Sequence, residues 1–295
     1  MSVKILLLGN TGQLGWELER SLQTLGRVTA FDYPQINMAN ADSIKTVVQS
    51  ANPNLIINAT AYTNVDKAES EPDLAMAING TGPGVLASEA KKLGAALIHF
   101  STDYVFDGTK GEPYNEEDQP NPLNVYGRTK LAGEKAVAEV DGAYLTFRTS
   151  WVYSLRRPCF VTKVLEWASQ NETLRIVDDQ ISSPTWARTL AEATAQITAQ
   201  GRKDPVGYVQ QIRGLYHLTD AGPCSRFEWA KAILDLYPER EALLAKAIVP
   251  AKSDEFPSPV QRPNISVLSL DKFAKVTGLE MPAWEDSLKL AMEFN

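Results

Sequence analysis

Short apolar runs alternate with helix-period stretches through the first half of the chain. Val3 to Leu8, Val28 to Phe31, Leu55 to Ile57, Ala96 to Phe100 and Tyr144 to Phe147 read as buried strands. Between them, Gln13 to Thr24, Asp42 to Gln49, Leu74 to Leu93 and Tyr126 to Val140 read as helices. Strands that are apolar on both faces and alternate with helices indicate a parallel sheet covered on both sides. The expected fold class is α/β, a Rossmann-like doubly wound parallel sheet.

The pattern changes after about Trp151. Phe160 to Ala168, Trp186 to Thr198 and Arg226 to Leu236 are helical candidates separated by irregular, Pro-containing segments. Leu215 to Leu218 reads as a short strand. Pro250, Pro257, Pro259 and Pro263 make 250–263 an extended loop. The expected organisation is a dinucleotide-binding domain, 1–150, to which 171–200 is also assigned. A smaller, less regular substrate-binding domain takes most of 151–295.

Composition narrows the function. The chain has 295 residues, 44% apolar and 22% charged, as a globular protein with a real core has. A formal charge of −7 argues against nucleic acid as the main partner. Cys159 and Cys224 have no metal-ligand spacing and read as free buried thiols. With only His99 and His217, a histidine-based metal site is not expected. The apolar run ending at Leu8 is too short for a signal peptide, and no run has the length of a membrane span. These features predict a cytoplasmic protein with no membrane partner.

Two separated segments carry the candidate chemistry. Gly9-Asn10-Thr11-Gly12-Gln13-Leu14-Gly15 follows the first strand and opens a helix. Glycines there permit a sharp turn and a close backbone approach to phosphate, and the helix N-terminus adds positive potential. The spacing is G-x-x-G-x-x-G; a tight strand-to-helix turn without a ligand is the plainer alternative. Asp32, ending the second strand, is placed to accept from a ribose hydroxyl or to serve as a turn aspartate. Asn58 to Thr63 after the third strand offers small residues over which a cofactor can pass.

The second segment is Tyr126-Gly127-Arg128-Thr129-Lys130, preceded by Ser101-Thr102-Asp103 at a strand end. Tyr126 and Lys130 lie one helical turn apart on one face. A nearby ammonium is expected to stabilise phenolate and lower the tyrosine pKa from its ordinary value of about 10. The Thr102 hydroxyl can hold a substrate carbonyl oxygen beside the phenol. A lone Y-x-x-x-K is common on solvated helices. Its pairing with the glycine loop makes hydride transfer the reading.

Together these residues resemble the extended short-chain dehydrogenase/reductase superfamily. The strings Gly12 to Leu18, Ala61 to Glu69, Ser101 to Gly108, Tyr126 to Lys130 and Arg148 to Tyr153 are similar to the dTDP-4-dehydrorhamnose reductase family, as is Arg262-Pro263 with Ser266 to Leu268. The resemblance runs from end to end. It implies reduction of the C4 ketone of dTDP-4-dehydro-β-L-rhamnose by NADPH or NADH. It implies catalytic roles for Thr102, Tyr126 and Lys130, with Tyr126 as proton donor. It implies cofactor contacts at Gly9, Gly12, Gln13, Leu14, Asp32, Asn37, Met38, Ala61, Tyr62, Thr63, Tyr126 and Lys130. Substrate contacts fall to Thr102, Asp103 and Trp151, the last lying against the sugar or serving as a hinge aromatic.

The chain also departs from the family. Asn37 stands where an aspartate is usual. Ser154 to Phe160 replaces a glycine-containing loop and brings Arg156 and Arg157, which read as a solvated loop or as reaching a diphosphate. Some members form a magnesium-bridged dimer through glutamates. Glu17 matches one ligand, but near Arg188 and Phe294 there is no clear match, with Glu192 and Glu293 only close by. No metal is therefore expected, and the chain is taken as a monomer or homodimer. Another nucleotide-sugar reductase or epimerase stays open; a dehydratase would want a second carboxylate after Asp103, where Tyr104 stands. So does a non-catalytic subunit like the regulatory beta subunit of methionine adenosyltransferase.

Overall fold

A computed structural model describes residues 2–293. Phe294, weighed above as a position for a metal ligand, lies outside the described residues. Five strands carry the first half: β1 (Lys4–Leu8), β2 (Arg27–Phe31), β3 (Leu55–Asn58), β4 (Ala96–Thr102) and β5 (Tyr144–Thr149). Gly214–His217 adds a sixth, and all pairings in this sheet are parallel. The order is Gly214–His217, β5, β4, β3, β1, β2. Successive strands therefore run outward on either side of the β1–β3 pair, and such a switch point opens a crevice at the carboxyl ends.

Side-chain alternation explains the two covered faces. Ile5 and Leu7 of β1 join Leu14 and Leu18 of the Gln13–Ser21 helix and Leu190 and Ile197 of the Ala187–Gln200 helix in one core. Leu6 and Leu8 point the other way, to Ile44, Val48, Leu86 and Val137 on the helices Ala41–Ala51, Gly82–Leu93 and Val125–Glu139. Each such fully buried leucine contributes roughly 1.5–3 kcal/mol. A separate core lies beyond β5. There Val161 and Val164 of the Phe160–Gln170 helix meet Trp229 and Ile233 of Arg226–Leu236 and Leu288 of Trp284–Glu293. Trp151 leaves β5 at φ 43°, where the chain crosses toward this second core.

Two expected elements differ. Leu74 to Leu93 is not one helix: Pro72–Met76 and Gly82–Leu93 are joined by a wide π-turn, Ala77–Thr81. Pro83 cannot donate to the helical ladder, and the turn lets Asn79 reach sideways. The Asn79 amide accepts from the Tyr62 N–H (2.8 Å) and donates to the Tyr62 carbonyl (3.1 Å) and Thr129 Oγ1 (3.2 Å). Pro250, assigned to a loop, instead stands within a strand, Ala247–Ala251, paired with Thr173–Val177. This ribbon has only two strands, and an edge position does not require the missing proline N–H.

Candidate active site

The glycine loop is an interlock of backbone atoms. Gly9 has φ +87°, and its N–H bonds to the Phe31 carbonyl of β2 at 2.8 Å. A Cβ on Gly15 would stand 2.0 Å from the Gly9 carbonyl oxygen, so the helix lies directly on the loop. Gly12 heads that helix with no side-chain cap. Its N-terminal potential therefore faces the cleft undiminished by a capping carboxylate.

That cleft has a volume of about 830 Å³ and crosses the carboxyl ends of the central strands. Gly9, Gly12, Gln13, Leu14, Asp32, Asn37, Met38, Ala61 and Thr63 line one part of it. Thr102, Asp103, Tyr126, Lys130 and Trp151 line the other. Tyr62, expected among them, does not line the cleft; its hydroxyl donates to Glu71 at 2.6 Å. Asp32 accepts hydrogen bonds from the N–H and hydroxyl of Thr11, which ties the loop to the end of β2. Asn37 lines the wall while its Oδ1 accepts from the Ala39 N–H, 3.0 Å away.

Asn124 fixes the helix that carries the tyrosine and lysine. Its Oδ1 accepts from the Gly127 N–H (2.8 Å), and its Nδ2 donates to the Gln261 carbonyl (3.0 Å). Thr102 ends β4, with its Oγ1 accepting from the Tyr104 N–H (3.2 Å) and donating to Asp103 (3.1 Å). The Tyr126 pKa is pushed up by burial, which outweighs the lowering influence of the nearby Thr102 hydroxyl, and Asp103 and Tyr104 add to the rise. This corrects the expected downward shift. The Lys130 ammonium, only 2% exposed, donates to the Phe100 carbonyl at 2.6 Å.

Burial lowers the Lys130 pKa to about 8, opposed by Glu134 one turn along the helix. Glu134 is itself held by Arg148 through two bonds, 2.9 and 2.6 Å, and by the Ser101 hydroxyl at 2.5 Å. Asp103 is buried, which raises its pKa to about 6 against the pull of the Ser266 and Thr102 hydroxyls and of Arg226. Trp151 both faces the cleft and stacks on Trp229, ring centroids 5.6 Å apart.

Some lining residues were assigned no role from the sequence. Arg226, the first residue of its helix, sits in the substrate-end wall with its guanidinium carbon 3.7 Å from the Trp151 ring centroid. Thr149, at the end of β5, also lines the cleft. Its Oγ1 and the Oε1 of Gln13 are buried without a partner among the described residues. Thr149 lay within the Arg148 to Tyr153 string but was given no role there. Arg226 carried no advance signal, since an arginine opening an amphipathic helix looks solvated. Arg157 lines the cleft, whereas Arg156 lies over Trp16, 3.4 Å from its centroid.

Among the described residues no group of three or more His, Cys, Asp or Glu side chains could hold a metal. Glu17 faces Arg188, Arg20 and Arg156, and Glu192 pairs with Arg188 at 2.8 Å. Cys159 and Cys224 are free and buried. No helix among these residues is long and apolar enough to cross a membrane.

A parallel sheet with a glycine-loop crevice and a Thr–Tyr–Lys cluster at its carboxyl edge defines an enzyme of the extended short-chain dehydrogenase/reductase class. The RmlD substrate binding domain family matches residues 3–294. The chain is 41% identical over 293 residues to the dTDP-4-dehydrorhamnose reductase of Burkholderia thailandensis, covering 98% of each. It is 40% identical to that of Escherichia coli K12, covering 97% of this chain and 96% of the other. The Bacillus anthracis dTDP-4-dehydrorhamnose reductase in complex with NADP superposes with a TM-score of 0.89 at 33% identity, covering 100% of both chains. The chain belongs to the dTDP-4-dehydrorhamnose reductase family and is an oxidoreductase. The fold extends to the Thermus thermophilus UDP-glucose 4-epimerase, TM-score 0.79 at 18% identity over 98% of this chain and 97% of that one.

Proposed function

We propose that the protein reduces the C4 ketone of dTDP-4-dehydro-β-L-rhamnose to dTDP-β-L-rhamnose with NADPH or NADH. The observation that carries this reading is the meeting of Thr102, Tyr126 and Lys130 in the same cleft as the glycine loop. The groups needed to hold a dinucleotide are present. The Gly9–Gly15 interlock seats the uncapped helix start against the cleft, and Gln13 and Thr149 are among the residues that line it. Reduced nicotinamide supplies the hydride.

The chain supplies the rest. Thr102 donates a hydrogen bond to the C4 oxygen and holds the ketone against Tyr126. As the C4 carbon accepts hydride, the carbonyl π pair moves onto oxygen and Tyr126 gives that oxygen its proton. The raised phenol pKa keeps Tyr126 protonated until this moment. A developing alkoxide is basic enough to take the proton, so a low phenol pKa is not required. The Lys130 ammonium, supported by Glu134, offsets the phenolate charge that remains. Water then restores the phenol proton.

The test is an absorbance assay at the reduced-nicotinamide band with the epimerised 4-keto-6-deoxy sugar nucleotide and each cofactor in turn. Cofactor oxidation matched mole for mole by dTDP-rhamnose is expected. No oxidation with either cofactor, or epimerised ketone as the only product, would remove the proposal. Copurification with a methionine adenosyltransferase in the absence of turnover would replace it with a binding role.

A further inference from the structure

Arg157 and Arg226 both line the cleft, and Arg226 is the one held against aromatic rings at its substrate end. Arg148 and Arg262 are both paired, with Glu134 and Asp66. Arg226 has no carboxylate within ion-pair distance and no side-chain hydrogen bond among the described residues. Its recorded partners are the rings of Trp151, Phe160 and Trp229, at 3.7, 4.9 and 5.8 Å. Rings hold a guanidinium by its flat face and leave its in-plane N–H donors unused. Burial depresses the Arg226 pKa, yet a guanidinium stays charged at neutral pH. A desolvated cation with idle donors in a cleft wall is a site for an anion.

Position says which anion. Arg226 neighbours Tyr104 and Asp103 electrostatically. The Tyr104 ring lies edge-on to the Tyr126 ring, centroids 5.8 Å apart. Arg226 thus shares the cleft with the proton-donating phenol and lies within electrostatic reach of the ring packed against it. In a hexopyranose C1 and C4 are opposite corners of the ring. A sugar whose C4 oxygen meets Tyr126 therefore carries its anomeric substituent toward the far side. In a sugar nucleotide that substituent is the β-phosphate.

We propose that Arg226, pinned by Trp151, binds the sugar-linked β-phosphate of the nucleotide-sugar substrate and so sets the distance from that phosphate to the reacting carbonyl. This deepens the reading above and rests on it. Its consequence is specificity: the site would demand a diphosphate, and a nucleotide lacking the β-phosphate would lose this contact.

The experiment compares thymidine diphosphate with thymidine monophosphate by titration of the full-length protein, as wild type, Arg226→Met and Arg226→Lys. Wild type is expected to prefer the diphosphate at least tenfold. Arg226→Met brings that preference to near parity and raises KM for the keto sugar nucleotide at least tenfold, more than it lowers kcat. Arg226→Lys recovers part of both. Cofactor affinity within twofold of wild type confirms that the variants are folded. Unchanged preference in Arg226→Met overturns the proposal. Equal weakening of both nucleotides also overturns it, because it makes Arg226 only a prop for Trp151. A wild-type protein that prefers the diphosphate through Arg226 but oxidises no cofactor would keep this assignment and remove the proposed activity.

Discussion

The two ends of the cleft are built on opposite principles. At the glycine loop, recognition rests on backbone: Gly9 at φ +87°, the Gly15 helix seated on its carbonyl, and an uncapped helix start. At the end of β4, it rests on buried polar and charged side chains: Thr102, Asp103, Lys130, Glu134 and Arg148 are each less than 9% exposed. The first end excludes atoms; the second desolvates charges. A methyl group is therefore the damaging change at one end, and the loss of a proton or an ionic partner at the other.

Four measurements sharpen or break this contrast. The largest effect is expected from Tyr126→Phe, which keeps the ring and removes one proton. Turnover should fall about 10²–10⁴-fold, the range for a lost general acid, while cofactor affinity measured by fluorescence titration changes little. Undiminished ketone reduction would end the proton-donor assignment. Next is Arg148→Met, which strands the buried Glu134 carboxylate. Breaking a buried pair costs about 3–5 kcal/mol, to be read from urea unfolding. A loss below about 1 kcal/mol would show that water reaches the pair.

Gly15→Ala tests the opposite end. Forcing a Cβ against the Gly9 carbonyl should cost about 1–3 kcal/mol of strain. Because the loop must shift to relieve it, cofactor affinity should drop roughly 5–150-fold if that strain is carried into binding. The bound substrate analogue thymidine diphosphate should be barely affected, and equal loss of both ligands would mean the ends are not separable.

The smallest effect is a pH slope. Asp103 and Asp220 have native pKa values raised by burial to about 6 and about 7. Both hold protons more tightly folded than unfolded, where an aspartate titrates near about 3.9. Their contribution is fully present below that value and is lost as pH rises through 6 and 7. Asp220→Asn should flatten the fall of unfolding free energy between about pH 4 and 7. A slope as steep as wild type would place the titration elsewhere.

Sequence alone revealed the parts that are contiguous or periodic. The β1 to β5 runs, the glycine loop and the Tyr126–Lys130 spacing announce themselves because each is a local pattern. Thr102 was legible from its place at a strand end and from the Ser101 to Gly108 string. Arg226 was not, since its partners Trp151 and Tyr104 lie 75 and more residues away along the chain. The direction of the Tyr126 shift was also hidden. It depends on how deeply the fold buries the phenol and on Asp103 and Tyr104 being brought beside it. Tyr62 parts from its motif neighbours, which line the cleft while its own hydroxyl is captured by Glu71.

The wide turn at Asn79 bears on how this molecule can tolerate change. One amide clasps the backbone of the loop after β3 and, on its other side, the hydroxyl one residue before Lys130. The floor of the crevice and the helix above it are thereby riveted together by a single planar group. Divergence in either wall is constrained by that rivet, so new substrate preferences have more freedom to arise from the facing wall, where Trp151 and Arg226 stand.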